Sequence, residues 1–83
     1  MGKLFVVGTP IGNLGDMTYR AVETLRTVDF ICAEDTRVTA KLLNYFDIKT
    51  PAVSYHEHNA KTAGEMVTNR ISAGEDCAIV TDA

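Results

Sequence analysis

Short polar clusters follow each of four apolar runs in this 83-residue chain. Because carboxylates can act as general bases or metal ligands, and histidines titrate near neutral pH, these clusters hold most of the residues suited to chemistry. Asp82 follows the strand predicted from the last apolar run, a position typical of a ligand contact, and a turn or capping role is the alternative. The clusters are Thr9 with Asn13, residues 34–37, residues 56–59, and Thr81 with Asp82.

The adjacent carboxylates Glu34 and Asp35 are candidates for a general base. Two structural alternatives stay open. Arg37 lies two residues further on and could form a salt bridge, and Asp35 could cap the helix that follows.

The His56-Glu57-His58 segment has a spacing found at some metal sites. The sequence contains only these 2 histidines, and its cysteines lie elsewhere, so carboxylates would have to complete such a site. We favour a solvated loop with one functional histidine and predict no metal. A metal-dependent hydrolase that uses His56, His58, Asp35 and Asp82 is the alternative.

The first apolar run leads into Gly8-Thr9-Pro10-Ile11-Gly12-Asn13. This segment lacks the Gly-x-Gly-x-x-Gly pattern of dinucleotide-binding folds and the Gly-Lys-Ser/Thr of a phosphate loop. Its position after a buried strand favours a loop that lets a cofactor approach the backbone, and a plain turn is the alternative.

Alternation of apolar runs with helical periodicity predicts the order βαβαβαβ, with strands over residues 4–7, 30–33, 52–55 and 77–80. The helices should cover residues 18–28, 38–46 and 60–73. Asp16 or Thr18 could cap the first, Asn59 the third, and Gly74 follows its end. Such an order implies a mostly parallel α/β sheet, whose carboxyl ends bring the polar clusters to one edge.

The bulk composition, 46% hydrophobic and 23% charged, is that of an ordinary globular domain or part of one. A net charge of −3 argues weakly against binding nucleic acid by charge alone. Cys32 and Cys77 lie in apolar runs and predict buried thiols of a reducing compartment. No run approaches the ~18 apolar residues of a membrane span, and no signal peptide precedes the first strand, so we expect a cytoplasmic protein.

Four motifs together resemble, in order and spacing, the ribosomal RNA methyltransferases of the tetrapyrrole methylase-like, S-adenosylmethionine-dependent family. The resemblance covers essentially the whole chain. Each motif alone is weak evidence for the family, and the four motifs together, in this order and spacing, are strong evidence. They are Val6-Val7-Gly8-Thr9-Pro10-Ile11-Gly12-Asn13-Leu14, Ala33-Glu34-Asp35-Thr36-Arg37, Ser54-Tyr55-His56-Glu57-His58-Asn59 and Val80-Thr81-Asp82-Ala83.

The resemblance implies 2′-O-methylation of a cytidine in small-subunit ribosomal RNA, with S-adenosyl-L-methionine as cofactor. It also implies two α/β domains with the cofactor between them and a first sheet in the order 3-2-4-1-5. Residues 1–83 would form a partial N-terminal domain with the order 3-2-4-1, without the fifth strand or the C-terminal domain. We expect this piece to be inactive alone.

Site roles follow from the same resemblance. Pro10, Thr81, Asp82 and Ala83 would contact the cofactor, and Arg37, His56, His58 and Asn59 would face the RNA. The resemblance does not assign a general base, and our hypothesis is that Glu34 or Asp35 has this role.

Ribosomal RNA or the small ribosomal subunit would be the partner, with no membrane. We also expect self-association, as a homodimer or larger, through the exposed first strand. A tetrapyrrole or other small-molecule methyltransferase of the same superfamily is the alternative.

Overall fold

The computed structural model describes residues 1–10, 14–56 and 58–82. Its four strands form a parallel sheet in the order β1-β4-β2-β3, which confirms the predicted βαβαβαβ architecture and the order 3-2-4-1. The elements are β1 (Leu4–Thr9), a short 3-10 turn (Leu14–Asp16), α1 (Tyr19–Thr27), β2 (Phe30–Ala33), α2 (Thr36–Tyr45), β3 (Ala52–Ser54), α3 (Ala60–Ser72) and β4 (Cys77–Asp82).

Strands β1 and β4 extend further than the apolar runs that predicted them. β1 continues to Thr9 and β4 to Asp82, because Gly8 pairs with Thr81 and Thr9 with Asp82 in the parallel ladder. Backbone pairing depends on the neighbouring strand and not on side-chain polarity, so the hydrophobic pattern marks these strand ends too early.

The helices lie on opposite faces of the sheet. Buried residues of α1 and α2, such as Leu25 and Leu42, pack with Ile31 and Ala78 on one face, whereas Val67 of α3 packs on the other. The steps from β1 to β2 and from β2 to β3 run in one direction across the sheet, and the step from β3 to β4 runs back. Right-handed crossovers therefore place α3 on the opposite side.

The capping residues predicted from the sequence cap their helices, with one exception. The Thr18 hydroxyl accepts a hydrogen bond from the Ala21 N–H at 3.1 Å and caps α1. Asn59 occupies the N-cap position of α3 but forms no side-chain cap, so that prediction is wrong. Its amide instead accepts from the His56 N–H at 2.8 Å and donates to the Ser54 carbonyl at 3.2 Å. Both the oxygen and the nitrogen of the Asn59 amide are thus hydrogen-bonded to the backbone at the end of β3 and in the loop after it.

Gly74 ends α3 as predicted, with φ of 101°. The Glu75 N–H donates to the Arg70 carbonyl and the Gly74 N–H to the Ile71 carbonyl, both at 3.0 Å, which is a Schellman arrangement. The left-handed φ is the reason that glycine suits this position.

The two cysteines are fully buried and free, with 3.4 Å between their sulfur atoms on the neighbouring strands β2 and β4. Burial raises the pKa of both thiols, that of Cys77 to about 12. This confirms the prediction of two core thiols.

Within the described ranges, no helix is long and apolar enough to cross a membrane.

Candidate functional site at the carboxyl edge of the sheet

The parallel strands bring the described members of the four polar clusters to one edge, as predicted. At this edge α2 leaves β2 towards one face, whereas α3 leaves β3 towards the other. Open α/β sheets bind ligands in the crevice that forms where successive connections diverge in this way. A cavity of about 490 Å³ lies there, bounded by the ends of β2, β3 and β4 and by the first turn of α2.

Apolar side chains and polar groups share the cavity wall. Cys32, Val38, Ile79 and Val80 contribute apolar surface, and the polar groups are Glu34, Asp35, Thr39, Tyr55 and Thr81. Small-molecule sites usually combine a mostly apolar wall with a few polar groups, and this wall is more polar than that. Both candidate bases and one predicted cofactor contact therefore meet at one cavity.

Asp35 and Arg37 form both of the structural contacts that the sequence left open. One carboxylate oxygen of Asp35 accepts from the Arg37 backbone N–H at 2.9 Å and from Nε at 3.2 Å, and the other accepts from Nη2 at 3.2 Å. The first of these bonds caps α2. Hydrogen bonding from Arg37 lowers the pKa of Asp35, so this carboxylate is a weaker proton acceptor than a free one.

Glu34 and Thr39 differ sharply in their exposure. Glu34 is exposed at the cavity mouth. Thr39 is 7% exposed, lies on the cavity wall, and its hydroxyl makes no hydrogen bond with any residue that the structure describes. The hydroxyl is not among the fully buried polar atoms, so it is accessible from the cavity and could bond a ligand there.

Tyr55 forms a further part of the wall. The residue is half-buried, and its hydroxyl lies 3.7 Å from the position that a Cβ at Gly64 of α3 would take. The ring therefore spans from the end of β3 to α3. The sequence motifs indicated His56 and not Tyr55 as a site residue. They also missed Thr39, because nothing in the local pattern distinguishes Thr39 from the other polar residues of α2.

The end of β1 leaves open space beside β4. A Cβ built at Gly8 meets no atom within 4 Å, and the left-handed φ values recorded in the described backbone belong to Asp47 and Gly74. Neither packing nor backbone conformation therefore requires glycine here. Glycine within a strand often marks the close approach of a ligand or another backbone. Next to it, the Thr9 hydroxyl donates to the Thr81 carbonyl at 3.1 Å and joins the two strand ends.

Several predicted site residues lie away from the cavity wall or outside the described residues. Pro10, Arg37, His56, His58 and Asn59 do not line the cavity. Asp82 is the last residue of β4, where its backbone pairs with Thr9. The predictions for Ile11, Gly12, Asn13, Glu57 and Ala83 fall outside the described residues.

The two histidines are neighbours. The His58 N–H donates to Nδ1 of His56 at 3.2 Å, and the ring centroids are 5.7 Å apart. A neutral His56 with this bond carries its proton on Nε2. Among the described residues, no group of three histidine, cysteine or carboxylate side chains is close enough to hold a metal ion. The hydrolase alternative stays a hypothesis.

Comparison with known proteins identifies the family. A sequence profile of the tetrapyrrole (corrin/porphyrin) methylases matches residues 3–82. The chain belongs to this family. The alternating fold is thus that of a family member, and the resemblance seen in the sequence is confirmed.

Individual relatives carry a more specific name. The chain is 58% identical over 83 residues to a Synechocystis protein named ribosomal RNA small subunit methyltransferase I, covering 100% of this chain and 30% of that protein. A Bacillus subtilis protein of the same name is 53% identical over 83 residues, which are 28% of its length. One from Mycoplasmopsis pulmonis is 48% identical over 82 residues, 37% of its length. The chain therefore spans about a third of the length of these relatives or less.

Proposed function

We propose that this chain is the N-terminal α/β part of an S-adenosylmethionine-dependent methyltransferase that methylates the 2′-oxygen of a cytidine in small-subunit ribosomal RNA. The observation that carries the proposal is the carboxyl edge of the sheet, where a cavity lies at the ends of β2, β3 and β4 and an open glycine lies near the end of β1. The names of the relatives support the RNA substrate. Such a substrate would also agree with a cytoplasmic location.

The fit of the cofactor rests on Gly8. The space beyond its Cα is open, so a ligand could approach the backbone of β1 there without meeting a side chain of the described residues. Thr81 pairs with Gly8 across the ladder and is exposed on the same edge. Together with Pro10, Asp82 and Ala83, these residues would hold the cofactor. When bound, S-adenosylmethionine supplies an electrophilic methyl group.

The two carboxylates after β2 would have different tasks. Asp35 is occupied by Arg37 and by the N-terminus of α2, so we assign it a structural role. Glu34 is exposed at the cavity mouth, and we propose it as the carboxylate that reaches the substrate. Since a ribose hydroxyl is a poor nucleophile, accurate positioning of the substrate would account for much of the rate.

RNA binding would depend on local groups because the chain carries a net charge of −3. The Arg37 side chain is 89% exposed, and His58 is exposed beside His56. These groups would contact the phosphate backbone at the rim, and other parts of a protein of the relatives' length would supply further positive charge.

A chimera provides the test. The 83 matched residues of the Bacillus subtilis relative would be exchanged for this chain, and the protein would be incubated with methyl-labelled S-adenosylmethionine and unmethylated small ribosomal subunits. We expect label in 2′-O-methylcytidine after nuclease digestion. A tetrapyrrole substrate in a parallel reaction tests the small-molecule alternative. A folded chimera that labels the tetrapyrrole and not the RNA would contradict the proposal.

A further inference from the structure

We propose that the cavity between β2, β3 and β4 binds a nucleobase that carries an exocyclic amino group, and that Glu34 accepts the hydrogen bond from that amine. Cytosine and adenine share this chemistry. The inference deepens the proposed function, since it rests on a nucleoside as the ligand of this edge. It assigns Glu34 to recognition of the base and not to proton abstraction.

The cavity suits a flat ring. Its volume of about 490 Å³ lies within the range of ligand pockets, roughly 300–1,000 Å³. Ile79 and Val80 give it an apolar wall, and Tyr55 contributes an aromatic ring that reaches from β3 to α3. Proteins that hold unpaired bases commonly combine aromatic stacking with polar contacts to the edge of the base.

The Thr39 hydroxyl is reached from the same cavity, because it is not among the fully buried polar atoms of the described residues. Thr39 is 7% exposed and lines the cavity, and its hydroxyl makes no hydrogen bond within the described part of the chain. A hydroxyl can donate to a ring nitrogen or accept from an amine. A base in the cavity could therefore replace solvent as the partner of this hydroxyl.

The charges favour a base over a phosphate. The N-terminus of α2 would attract an anion, but the Asp35 carboxylate already occupies it. Arg37 is bound to the same carboxylate and does not line the cavity. The remaining charged group on the wall is Glu34, which is acceptor-only when ionised and would repel a phosphate.

A carboxylate acceptor also distinguishes between bases. The amine of cytosine or adenine can donate to Glu34, whereas uracil and hypoxanthine present a carbonyl oxygen at the same position. The base could be that of the target nucleotide or the adenine of the cofactor. Both sources have the same chemistry, and the experiment separates them.

The experiment measures nucleoside binding by NMR titration of the chain and, in parallel, by calorimetry of the Bacillus subtilis chimera. The probes are two pairs that differ at the amine, cytidine against uridine and adenosine against inosine. The variants are Glu34→Gln and, as a matched control, Glu65→Gln on the exposed face of α3. Thermal unfolding of each protein verifies that it is folded.

We expect the aminated member of one pair to bind at least about fivefold more tightly than its partner, the lower end of base discrimination by a polar side chain. Amide shifts should centre on Thr39, Tyr55 and Ile79. Glu34→Gln should reduce the preference below about twofold, because an amide can also donate to a carbonyl. Glu65→Gln should leave it unchanged. Preference for cytidine identifies the substrate base, and preference for adenosine identifies the base of the cofactor.

Other outcomes would overturn the assignment. These are equal binding within both pairs, no nucleoside binding by a folded chimera, or a preference that survives Glu34→Gln. A Glu34→Gln chimera whose kcat falls while its base preference persists would make Glu34 a general base instead. If the base preference holds but no RNA is methylated, the proposed function fails and the recognition site stands.

Discussion

Replacement of Gly8 by alanine separates what the fold needs from what a ligand needs. The added Cβ meets no atom within 4 Å, and Gly8 is not among the described residues with a left-handed φ. Substituting glycine by alanine at a compatible position stabilises a protein by about 0.4–1 kcal/mol, because the unfolded chain loses freedom. We therefore expect Gly8→Ala to raise the free energy of unfolding slightly or to leave it unchanged.

Cofactor binding should respond in the opposite direction. If a ligand passes close to the Gly8 backbone, the new methyl group overpacks the contact, which costs about 1–3 kcal/mol. That range corresponds to a roughly five- to 150-fold loss of affinity. The affinity for S-adenosylhomocysteine, measured by calorimetry on the chimera, should fall by this factor.

The matched control is Gly64→Ala in α3. Its Cβ would lie 3.7 Å from the Tyr55 hydroxyl, an ordinary van der Waals contact, and alanine is favoured over glycine in a helix by about 1 kcal/mol. Urea unfolding should show a gain in stability with unchanged affinity for S-adenosylhomocysteine. An unfolded Gly8→Ala protein would refute the structural part of the reasoning, and an unchanged affinity in a folded one would refute the close approach of the cofactor.

Three further predictions concern pH, thiol reactivity and association. The hydrogen bond from Arg70 at 2.7 Å lowers the pKa of Glu75 from 4.5, so its stabilising contribution is present above pH 4.5 and is lost as the pH falls through the lowered pKa. Glu75→Gln should flatten the acid limb of stability measured by urea unfolding, and an unaltered limb would contradict this. Burial raises the pKa of Cys77 from 9.0 to about 12, so iodoacetamide at pH 8 should modify this thiol only when urea unfolds the chain. Because the unfolded thiol loses its proton at a lower pH than the folded one, the free energy of unfolding should fall as the pH rises from 9 towards 12. Rapid labelling of the folded chain would be the contrary result. Val6 is 72% exposed on β1, which pairs with β4 alone among the described strands and so has one free edge. Val6→Lys should therefore reduce self-association measured by sedimentation velocity. A wild-type chain that stays monomeric at high concentration would disprove this interface.

Much of the fold follows from local pattern. Four apolar runs alternate with helical periodicity, and such an order permits few arrangements other than a parallel sheet with right-handed crossovers. The strand order itself came with the resemblance to the methyltransferase family. Buried cysteines, the Thr18 cap and the Gly74 terminus were also predictable, because each depends on residues within a few positions along the chain.

The identity of the site residues was only partly predictable. The sequence placed Glu34, Asp35 and Thr81 at one edge, since every parallel strand ends there. It left open whether Asp35 would act as a base or a cap. The structure shows that Asp35 caps α2 and is paired with Arg37, whereas a role as the base stays a prediction.

The remaining features are properties of the tertiary structure. Thr39 becomes a buried wall residue only because α2 packs beside β2 and β3. The Asn59 side chain does not cap α3, because its amide is hydrogen-bonded to the loop after β3. Similarly, Gly8 is open because the packing of the sheet leaves no atom within 4 Å of the position that its Cβ would take. The sequence by itself determined which segments form strands and helices, through the spacing of apolar residues. The distances between segments depend on register and packing, so the composition of the cavity was decided only by the folded chain.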